Sequence, residues 1–469
     1  MNARLAAVGG AAPTHRLPAA AVGKAWGRGG GRGQAAVCAP DEDTLTLAWE
    51  AGTRALDAAG IEPAAVDGLW WGTTRPPFAE GPSHAFLAGA LGLAAESGGA
   101  LSSGSTHAGI DALAAASDAI VAGSARVALV IASDALRAGV GTAAEARCGA
   151  GAAALVLTAD GGAASIGARI TRHLPVVDRY RGDAESDTRD LYDGRLFREE
   201  IFLPLTSGVV EQLNALDPRA WSLPDPDGRL GGTLAKQTGA GAPPSAEVYG
   251  ELGDTGAAAA LLGAVGALDA AGTVGIVGYG GGRATAIAIH ADRPVPGATA
   301  VARAISEGEE IGYTEALRAR GQLVASGETI PMGVPPESAM FVRGAEEMLG
   351  LLGGRCVDCG TISTPPSIHP HCIACGGPKL EPVALARQGT VHTYVVNHTM
   401  PAPFVAPLPL AVLDLDDGAR LMLQVVGKGE QLAIGAKMRL VLRRYAYERG
   451  VPVYGFKAKQ VPSAAEVGQ

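Results

Sequence analysis

Residues 101–133 read LSSGSTHAGIDALAAASDAIVAGSARVALVIAS and combine a turn, a helix pattern and an apolar run. From Thr106 to Gly123 the apolar residues recur at helical spacing, and a closing glycine is typical of a helix end. Residues 126–133 contain an uninterrupted apolar run, which favours a buried strand. This stretch therefore predicts a helix followed by a buried strand, with a serine-rich turn where the helix begins.

The same succession of helices and apolar strands extends over residues 1 to about 292. Residues 41–60 predict a helix that Asp41 or Asp43 caps and that Gly60 ends. The alternation predicts a mainly parallel sheet with helices on both faces, and its repetition predicts an internally duplicated α/β domain. The other elements of the two passes are strands at 66–73, 152–159 and 164–170, helices at 207–216, from 229 and at 255–271, and strands near 219–223, at 273–280 and at 284–291.

The last third of the chain has a different pattern. Residues 292–336 are polar and are interrupted by RPVPG and PMGVPP, which is typical of an excursion followed by a linker. Residues 341–354 predict a helix. From Gly389 onward, five short alternating segments predict a small Greek-key barrel, and these segments are TVHTYVVNH, LPLAVLDLDD, RLMLQVVG, KMRLVLRRYAY and VPVYGFKA.

Charge and hydropathy exclude several classes of function. The net charge of the 469 residues is −9 and no long basic run is present, so a nucleic-acid or anionic-membrane surface lacks its electrostatic basis. Neither a signal peptide nor a long apolar span is recognisable. We therefore expect a cytoplasmic protein whose partners are small molecules or other proteins.

Four of the six cysteines form two CxxC pairs, separated by twelve residues, at Cys356, Cys359, Cys372 and Cys375. Each pair can chelate one ion from a tight turn, and four thiolates complete a tetrahedral zinc site without an open position. Gly360 and Gly376 follow the pairs, where such a turn needs positive φ. The sequence predicts structural zinc, with an iron centre or a chance cluster as the alternatives; His369 and His371 are less favoured ligands.

The tail resembles the DUF35 family, which implies a rubredoxin-like zinc ribbon followed by an OB-fold. The resemblance covers about 341–458 and rests on the four cysteines, the segment RQGTVHTYVVNH and the hairpin LPLAVLDLDDGARLM. DUF35 modules accompany thiolase-fold enzymes, some of which are aldolases that lack a catalytic cysteine. The resemblance therefore implies a thiolase-type partner for the tail.

The preceding residues resemble the 3-hydroxy-3-methylglutaryl-CoA (HMG-CoA) synthase branch of the thiolase superfamily. The resemblance rests on the segments AWGRGGGRGQAAVCAPDEDTLTLAWEA, LWWGTTRPPFAEGPS, VALVIASDALRAG, GDTGAAAALL and IGYTEALRARGQL. This implies a duplicated, layered α-β-α-β-α fold, a thioester of coenzyme A or a carrier protein at the end of a pantetheine tunnel, and a homodimer. The expected domains are 1–335 (thiolase-like), 341–385 (helix plus zinc ribbon) and 386–469 (OB-fold).

The resemblance also locates the family's catalytic positions, and all four differ here. The acyl-accepting cysteine corresponds to Ser103, or to Ser102 with a slip of one residue. The acid–base glutamate corresponds to Thr74, the histidine before a P-x-G turn to Pro224, and the asparagine after glycine to Asp254. A chain with these replacements is not expected to use the family's covalent mechanism.

The physical reason is the acidity of the nucleophile. A helix N-terminus contributes about 1 kcal/mol, which lowers a thiol pKa toward neutrality but is far too little for a serine hydroxyl without a neighbouring base. Each remaining candidate also has a structural interpretation, as a helix cap for Asp254, a helix start for His84 and a buried phenol for the tyrosines. The catalytic candidates are His107, Asp254, Ser103, Tyr249, Tyr279 and His84.

Two functions follow from these observations. The first is an enzyme that makes or breaks a carbon–carbon bond of an acyl thioester by aldol or Claisen-type chemistry, or transfers the acyl group, without covalent capture. The second is a catalytically silent thiolase-fold subunit that binds CoA esters or scaffolds an active partner.

Overall fold

The computed structural model describes residues 2–29, 31–189, 193–241, 243–324, 338–400, 404, 406–448 and 450–461. The chain divides into two compact units, Met1–Val324 and Ala325–Gln469. The predicted domain end at residue 335 lies outside the described residues, and the finer boundary at 385/386 stays a prediction. Among the described helices, none combines the length and the apolar character that a membrane crossing requires.

Twelve strands are described in the first unit: β1 (Arg4–Ala11), β2 (His15–Pro18), β3 (Gln34–Val37), β4 (Gly68–Gly72), β5 (Gly98–Ser102), β6 (Val127–Ala135), β7 (Ala150–Thr158), β8 (Ala164–His173), β9 (Ala220–Ser222), β10 (Gly272–Gly280), β11 (Arg283–Ala291) and β12 (Glu309–Glu310). The helices described there are α1 (Ala19–Ala25), α2 (Thr44–Ala59), α3 (Ser83–Leu91), α4 (Ala108–Ala122), α5 (Gly194–Leu196), α6 (Leu203–Leu213), α7 (Leu230–Thr238), α8 (Ser245–Leu252), α9 (Ala259–Gly266), α10 (Ala298–Ser306) and α11 (Tyr313–Ala319). A π-helical segment, Phe197–Phe202, joins α5 to α6, and a 3-10 turn, Gly256–Ala258, precedes α9.

A nine-stranded sheet forms the centre of this unit, in the order β5-β4-β6-β7-β1-β8-β11-β10-β9. It consists of two halves related by the same order of elements, because α2, β4, α4, β6 and β7 of the first half correspond to α6, β9, α9, β10 and β11 of the second. The halves join where β1 pairs with β8, through Arg4 with Ser165 and Leu5 with Ala164. The predicted duplication is therefore present as two successive halves of one sheet.

The helices form three layers around the two half-sheets. α2 contacts β1, β6 and β7 of the first half, and α6 contacts β8, β10 and β11 of the second. α4 and α9 lie between the halves, since α4 contacts β4, β6 and β10 while α9 contacts β1, β7, β9 and β10. This is the α-β-α-β-α arrangement expected from the sequence.

The expectation of a mainly parallel sheet was wrong. β4 pairs in parallel with β5 and β6, and β9 with β10, whereas the β1–β7, β6–β7, β1–β8, β8–β11 and β10–β11 pairs are antiparallel. Parallel pairing needs a crossover of a dozen or more residues, and β10 and β11 are separated only by Gly281 and Gly282, with φ of 59° and 66°. β7 and β8 are not partners of each other, because β1 lies between them.

The bounds of several elements follow from local chemistry. Asp43 caps α2 by accepting from the backbone N–H groups of Leu45 and Thr46, and the Thr46 hydroxyl accepts from the Asp43 N–H in return. Gly60 ends α2 with φ of 64°, as predicted. The predicted helix 255–271 is shorter than expected, because α9 covers only Ala259–Gly266 and 3-10 turns flank it.

The second unit contains α12 (Ala339–Gly350) and β13 (Leu352–Cys356), β14 (Ile362–Ser363), β15 (Leu380–Ala384), β16 (Gln388–Asn397), β17 (Leu408–Leu415), β18 (Arg420–Gln424), β19 (Lys437–Glu448) and β20 (Val451–Gln460). β14, β13 and β15 form a small sheet, and the other five strands form a second sheet in the order β18-β17-β16-β19-β20. Val425 and Ala458 bridge its two ends, so the five strands close into a barrel. The five predicted strands are all present.

Glycine permits the contact between the two central helices. A Cβ on Gly109 of α4 would lie 2.2 Å from the Ala257 carbonyl oxygen and 2.8 Å from the Ala132 Cβ. Both neighbours are held by secondary structure, so neither can yield easily. The crossing of α4 with the turn before α9 therefore requires a residue without a side chain at this position.

We expect Gly109→Ala to destabilise the first unit by about 1–3 kcal/mol, because the added methyl overpacks the helix crossing. The matched control is Gly89→Ala in α3, where a Cβ would meet nothing within 4 Å. That change is expected to stabilise the protein by about 0.4–1 kcal/mol, since alanine has less backbone entropy to lose. Differential scanning calorimetry checks both; an unchanged unfolding temperature for Gly109→Ala would contradict this account of the crossing.

Candidate functional site

A cavity of about 420 Å³ lies in the first unit beside the N-terminal end of α4. Its wall comes from the turn before α4, the loop after β9, the turn before α9 and the β10–β11 hairpin, so both halves contribute to it. These segments supply Gly104–Thr106, Pro224–Asp227, Asp254 with Gly256, and Gly278–Gly281, and Thr74 after β4 completes this part of the wall.

The turn before α4 presents hydroxyl groups to the cavity. Ser105 and Thr106 line it, whereas Ser103 is exposed and lies outside the wall. The Thr106 hydroxyl donates to the Tyr279 carbonyl at 2.7 Å, and Ser105 Oγ accepts from the His107 backbone N–H at 3.3 Å. Within the described residues, neither a histidine ring nor a carboxylate hydrogen-bonds any of these three hydroxyls. The turn therefore contains no activated hydroxyl nucleophile of the serine–histidine type.

The Thr74 hydroxyl donates a hydrogen bond to the Asp134 carboxylate, which lies outside the wall. The hydroxyl lies 2.8 Å from both oxygens of Asp134, which is fully buried and also accepts from the Ala257 backbone N–H at 3.0 Å. Burial raises the pKa of Asp134 above its usual value. This group ties the end of β6 to the turn before α9, so Thr74 has a structural role in the wall.

Asp254 lies in the cavity wall and has two partners. One carboxylate oxygen accepts from Arg179 at 2.6 Å, and the other accepts from the Gly256 backbone N–H at 3.0 Å. The predicted capping role is thus accompanied by a buried ion pair, because the Asp254 side chain is only 7% exposed. This pair holds Arg179 at the cavity.

Tyr279 also lines the cavity, but its hydroxyl is already hydrogen-bonded within the protein. It donates to Asp178 at 2.7 Å, and the same Asp178 oxygen accepts from the Gly282 backbone N–H at 3.2 Å. Burial, followed by the Asp178 charge, raises the pKa of the phenol. The rings of Phe197 and Phe202 pack edge-on against it, at 5.9 and 5.1 Å between centroids. Tyr279 therefore forms a rigid, apolar part of the wall.

The three other candidates do not belong to the wall. His107 is buried beneath it, with Nε2 2.9 Å from the Thr285 hydroxyl and Nδ1 2.7 Å from Arg283. His84 Nε2 lies 2.9 Å from the Leu69 carbonyl oxygen at the beginning of α3. Tyr249 packs behind Gly228, and burial raises its pKa. His107 was selected because it is near Ser103 along the chain, and Tyr249 because the family resemblance places its segment beside the catalytic chamber. Neither side chain lines the cavity.

Asp225 is a wall residue that sequence reasoning missed. It lies between two prolines in LPDPDGR, directly after Pro224, which was examined only for a missing histidine. One oxygen of its carboxyl group, Oδ1, is buried without a hydrogen-bond partner among the described residues. Burial raises the pKa of Asp225 to about 6. The signal available in the sequence was an aspartate between two prolines, because Pro226 has no backbone N–H to donate to it.

Arginine side chains surround the cavity. Arg147, Arg179, Arg181 and Arg198 all contribute to its wall. Arg181 and Arg198 are exposed, whereas Arg179 is held inward by Asp254. Guanidinium groups bind phosphate and carboxylate oxygens, so the cavity can accept an anionic ligand.

The second unit brings the four predicted cysteine ligands together. Their sulfur atoms all lie within 4.8 Å of one another, with Cys356 and Cys375 3.6 Å apart and Cys359 and Cys372 3.5 Å apart. A disulfide would require about 2.05 Å, whereas thiolates at about 2.3 Å around a tetrahedral ion are about 3.8 Å apart. Gly360 and Gly376 have φ of 75° and 74°, as expected for the two turns. The cluster therefore has the donors and spacing of a four-sulfur metal site.

Comparison with known proteins supports both units. The family model for the C-terminal OB-fold domain of ChsH2 matches residues 382–443. The DUF35 domain-containing scaffold protein of Methanocaldococcus jannaschii is 36% identical over 125 residues, which are 25% of this chain and 87% of that protein. The hydroxymethylglutaryl-CoA synthase of Pyrococcus horikoshii is 32% identical over 146 residues, or 31% of this chain, and the match spans only 42% of that enzyme.

Solved structures share the fold at low identity. MvaS in complex with 3-hydroxy-3-methylglutaryl coenzyme A superposes with a TM-score of 0.58 at 21% identity, covering 71% of this chain and 94% of that chain. The curacin-pathway HMG synthase in complex with acetyl donor-ACP gives a TM-score of 0.59 at 16% identity, covering 68% and 88%. The predicted fused architecture is thus confirmed. The chain belongs to the DUF35 domain-containing family, and it joins that module to a thiolase-like fold of the HMG-CoA synthase type.

Proposed function

We propose that the first unit acts on an acyl thioester of coenzyme A or of a carrier protein, and makes or breaks a carbon–carbon bond or transfers the acyl group without forming an acyl-enzyme. The observation that carries this proposal is the cavity at the N-terminal end of α4, whose described wall contains arginine and aspartate but neither cysteine nor histidine. Related folds bind HMG-CoA or an acetyl carrier protein, which supports the choice of a thioester.

The polar wall suits reactions that proceed through an enolate. Such reactions need charge stabilisation and proton transfer but no covalent step. The guanidinium group that Asp254 holds at the wall is a fixed positive charge, which can stabilise a developing oxyanion or bind a carboxylate of the acyl group. The exposed Arg181 and Arg198 suit the phosphates of a pantetheine-bearing ligand.

A second candidate function is a scaffold that binds CoA esters without turnover. The observation that favours it is the relationship to DUF35 domain-containing scaffold proteins, at 36% and 34% identity over most of their length. It also agrees with replacement of all four family catalytic positions. The carboxyl group of Asp225 favours the enzyme over the scaffold. Its buried oxygen has no hydrogen-bond partner among the described residues, and such carboxyl groups in cavities are concentrated at active sites.

We propose that the four cysteines of the second unit bind one zinc ion with a structural role. Four protein thiolates leave no open coordination position, and the metal would connect the two turns that carry the cysteines. A homodimer remains a prediction from the family resemblance.

Thioester turnover tests the main proposal. We expect the purified protein, alone or with its partner, to release free thiol from an acyl-CoA or acyl-carrier-protein substrate, while intact mass spectrometry shows no acyl adduct on the chain. Ser103→Ala should leave the rate unchanged, because Ser103 lies outside the wall. A stable adduct on residues 103–106 would overturn the non-covalent mechanism, and absence of turnover with every thioester would favour the scaffold.

Asp254→Asn tests the fixed positive charge at the wall. The amide oxygen keeps an acceptor for the Gly256 N–H but removes the charge that holds Arg179, so turnover should fall about tenfold or more. Asp43→Asn is the matched control, since it makes the same change at the cap of α2 and asparagine caps as well as aspartate. Equal rates for the two variants would remove Arg179 from the mechanism.

Metal analysis tests the zinc site. We expect about one zinc per chain, lost in Cys372→Ser and retained in Cys38→Ser, whose thiol lies outside the cluster. Chelation should lower the unfolding temperature of the second unit only, because the binding energy of a structural metal contributes to folding. A visible iron–thiolate absorption band, or a metal-free protein, would contradict the assignment.

A further inference from the structure

The carboxylates that line the cavity differ in how they are held. Asp254 pairs with Arg179, and Asp178 accepts from the Tyr279 hydroxyl and a backbone N–H. Asp227 lies just before α7, where one of its oxygens accepts from the backbone N–H groups of Arg229 and Leu230 at 2.9 Å each. Each of these three carboxylates therefore positions a neighbouring group of the wall.

Asp225 differs from these three carboxylates, because one of its oxygens has no hydrogen-bond partner among the described residues. The amide of residue 226 is a proline and donates no hydrogen bond, and Oδ1 is buried without a partner among the described residues. On its other side the beginning of α7 approaches closely, because a Cβ on Gly231 would lie 2.9 Å from the Asp225 Cβ and 3.2 Å from Oδ2. Oδ2 thus lies against the backbone of α7, while Oδ1 is buried without a donor among the described residues.

This arrangement raises the pKa of Asp225. Burial is the main cause of the raised pKa, to about 6, and the nearby Asp227 adds to it, while backbone N–H groups of Gly231, Gly228 and Arg229 lower it. A group with a pKa close to the working pH both accepts and returns a proton at low cost. Tyr279 is unsuitable, since burial and Asp178 raise its pKa well above the usual value.

We propose that Asp225 is the general acid–base residue that transfers a proton to and from the α-carbon of the thioester in this cavity. The inference rests on the proposed function and deepens it by naming the group that moves the proton. The Asp225 carboxylate takes the α-proton, the electrons of the C–H bond form the carbon–carbon double bond of the enolate, and the negative charge moves to the thioester oxygen. In the reverse direction the neutral carboxylic acid returns the proton to the α-carbon.

Hydrogen exchange on the α-carbon tests this step without requiring an acceptor. Acetyl-CoA and propionyl-CoA are incubated with the full chain in D₂O, and deuterium incorporation is measured by mass spectrometry. We expect exchange by the wild type, a loss of about 100-fold or more in Asp225→Asn, and partial recovery in Asp225→Glu. Glu211→Gln, an exposed carboxylate-to-amide change on α6, should exchange at the wild-type rate.

The pH dependence supplies a signature that a structural residue would not give. Exchange should rise with pH through about 6 and then level off, because the base form of Asp225 is the active one. Binding of CoA, measured by calorimetry, should remain within about threefold of wild type in Asp225→Asn, because the change leaves the arginines of the wall in place. A rate profile that Asp225→Asn leaves unchanged would overturn the proposal.

The stability of the protein gives an independent test, because the contribution of Asp225 to stability falls as pH rises whereas the exchange rate increases. A carboxyl with a raised folded-state pKa binds more protons when folded, so its contribution is present at low pH and is lost as pH rises from about 4 through 6. Asp225→Asn should therefore unfold at the same or a higher temperature than wild type at pH 8; a lower temperature would indicate a structural role and overturn the proposal. Wild-type protein that binds CoA but exchanges no α-proton would also overturn it, whereas thiol release reports separately on the proposed function.

Discussion

The contact between the two central helices determines where the cavity can form. Because Gly109 has no side chain, the Ala257 carbonyl approaches α4 directly, and the turn before α9 comes to lie beside the turn before α4. A second close contact acts in the same region, since a Cβ on Gly280 would lie 2.7 Å from the His107 backbone nitrogen. The β10–β11 hairpin is thereby brought against the same turn. The wall of the site is thus a product of backbone-to-backbone packing between the halves.

That packing explains how the wall keeps its shape without an activated hydroxyl group. Thr106 donates to a main-chain carbonyl, Thr74 is tied to the buried Asp134, and Tyr279 is tied to Asp178. These groups satisfy one another and support the wall. The groups of the wall that can still take part in a reaction are the Arg179–Asp254 ion pair and Asp225. One carboxyl oxygen of Asp225 has no hydrogen-bond partner among the described residues. Electrostatic stabilisation and proton transfer are the contributions that such a wall can make.

Much of the fold could be predicted from periodicity, and the site only in part. The capped helix from Thr44, the strands around residues 130 and 276, and the cysteine turns all follow from local signals. β1 was missed because RLAAVGGA is rich in alanine and glycine, and α2 packs closely on it, since a Cβ on Gly9 would lie 2.4 Å from the Ala51 carbonyl oxygen. Which of the catalytic candidates line the cavity depends on contacts between residues far apart in the sequence. His107 is one residue from the wall along the chain yet turns beneath it, and Asp225 gains its properties from α7 packing against it.

The place of β1 in the sheet has a consequence for synthesis on the ribosome. Arg4 pairs with Thr158 on one side and with Ser165 on the other, so the earliest strand waits for roughly 150 more residues, or about 8–30 s of translation. Until then the backbone groups of β1, and those on the edge of β6 that faces away from β4, have no strand to join. The nascent first half is accordingly a long-lived, incomplete sheet with high contact order, and it is the species that a chaperone would need to shield from self-association.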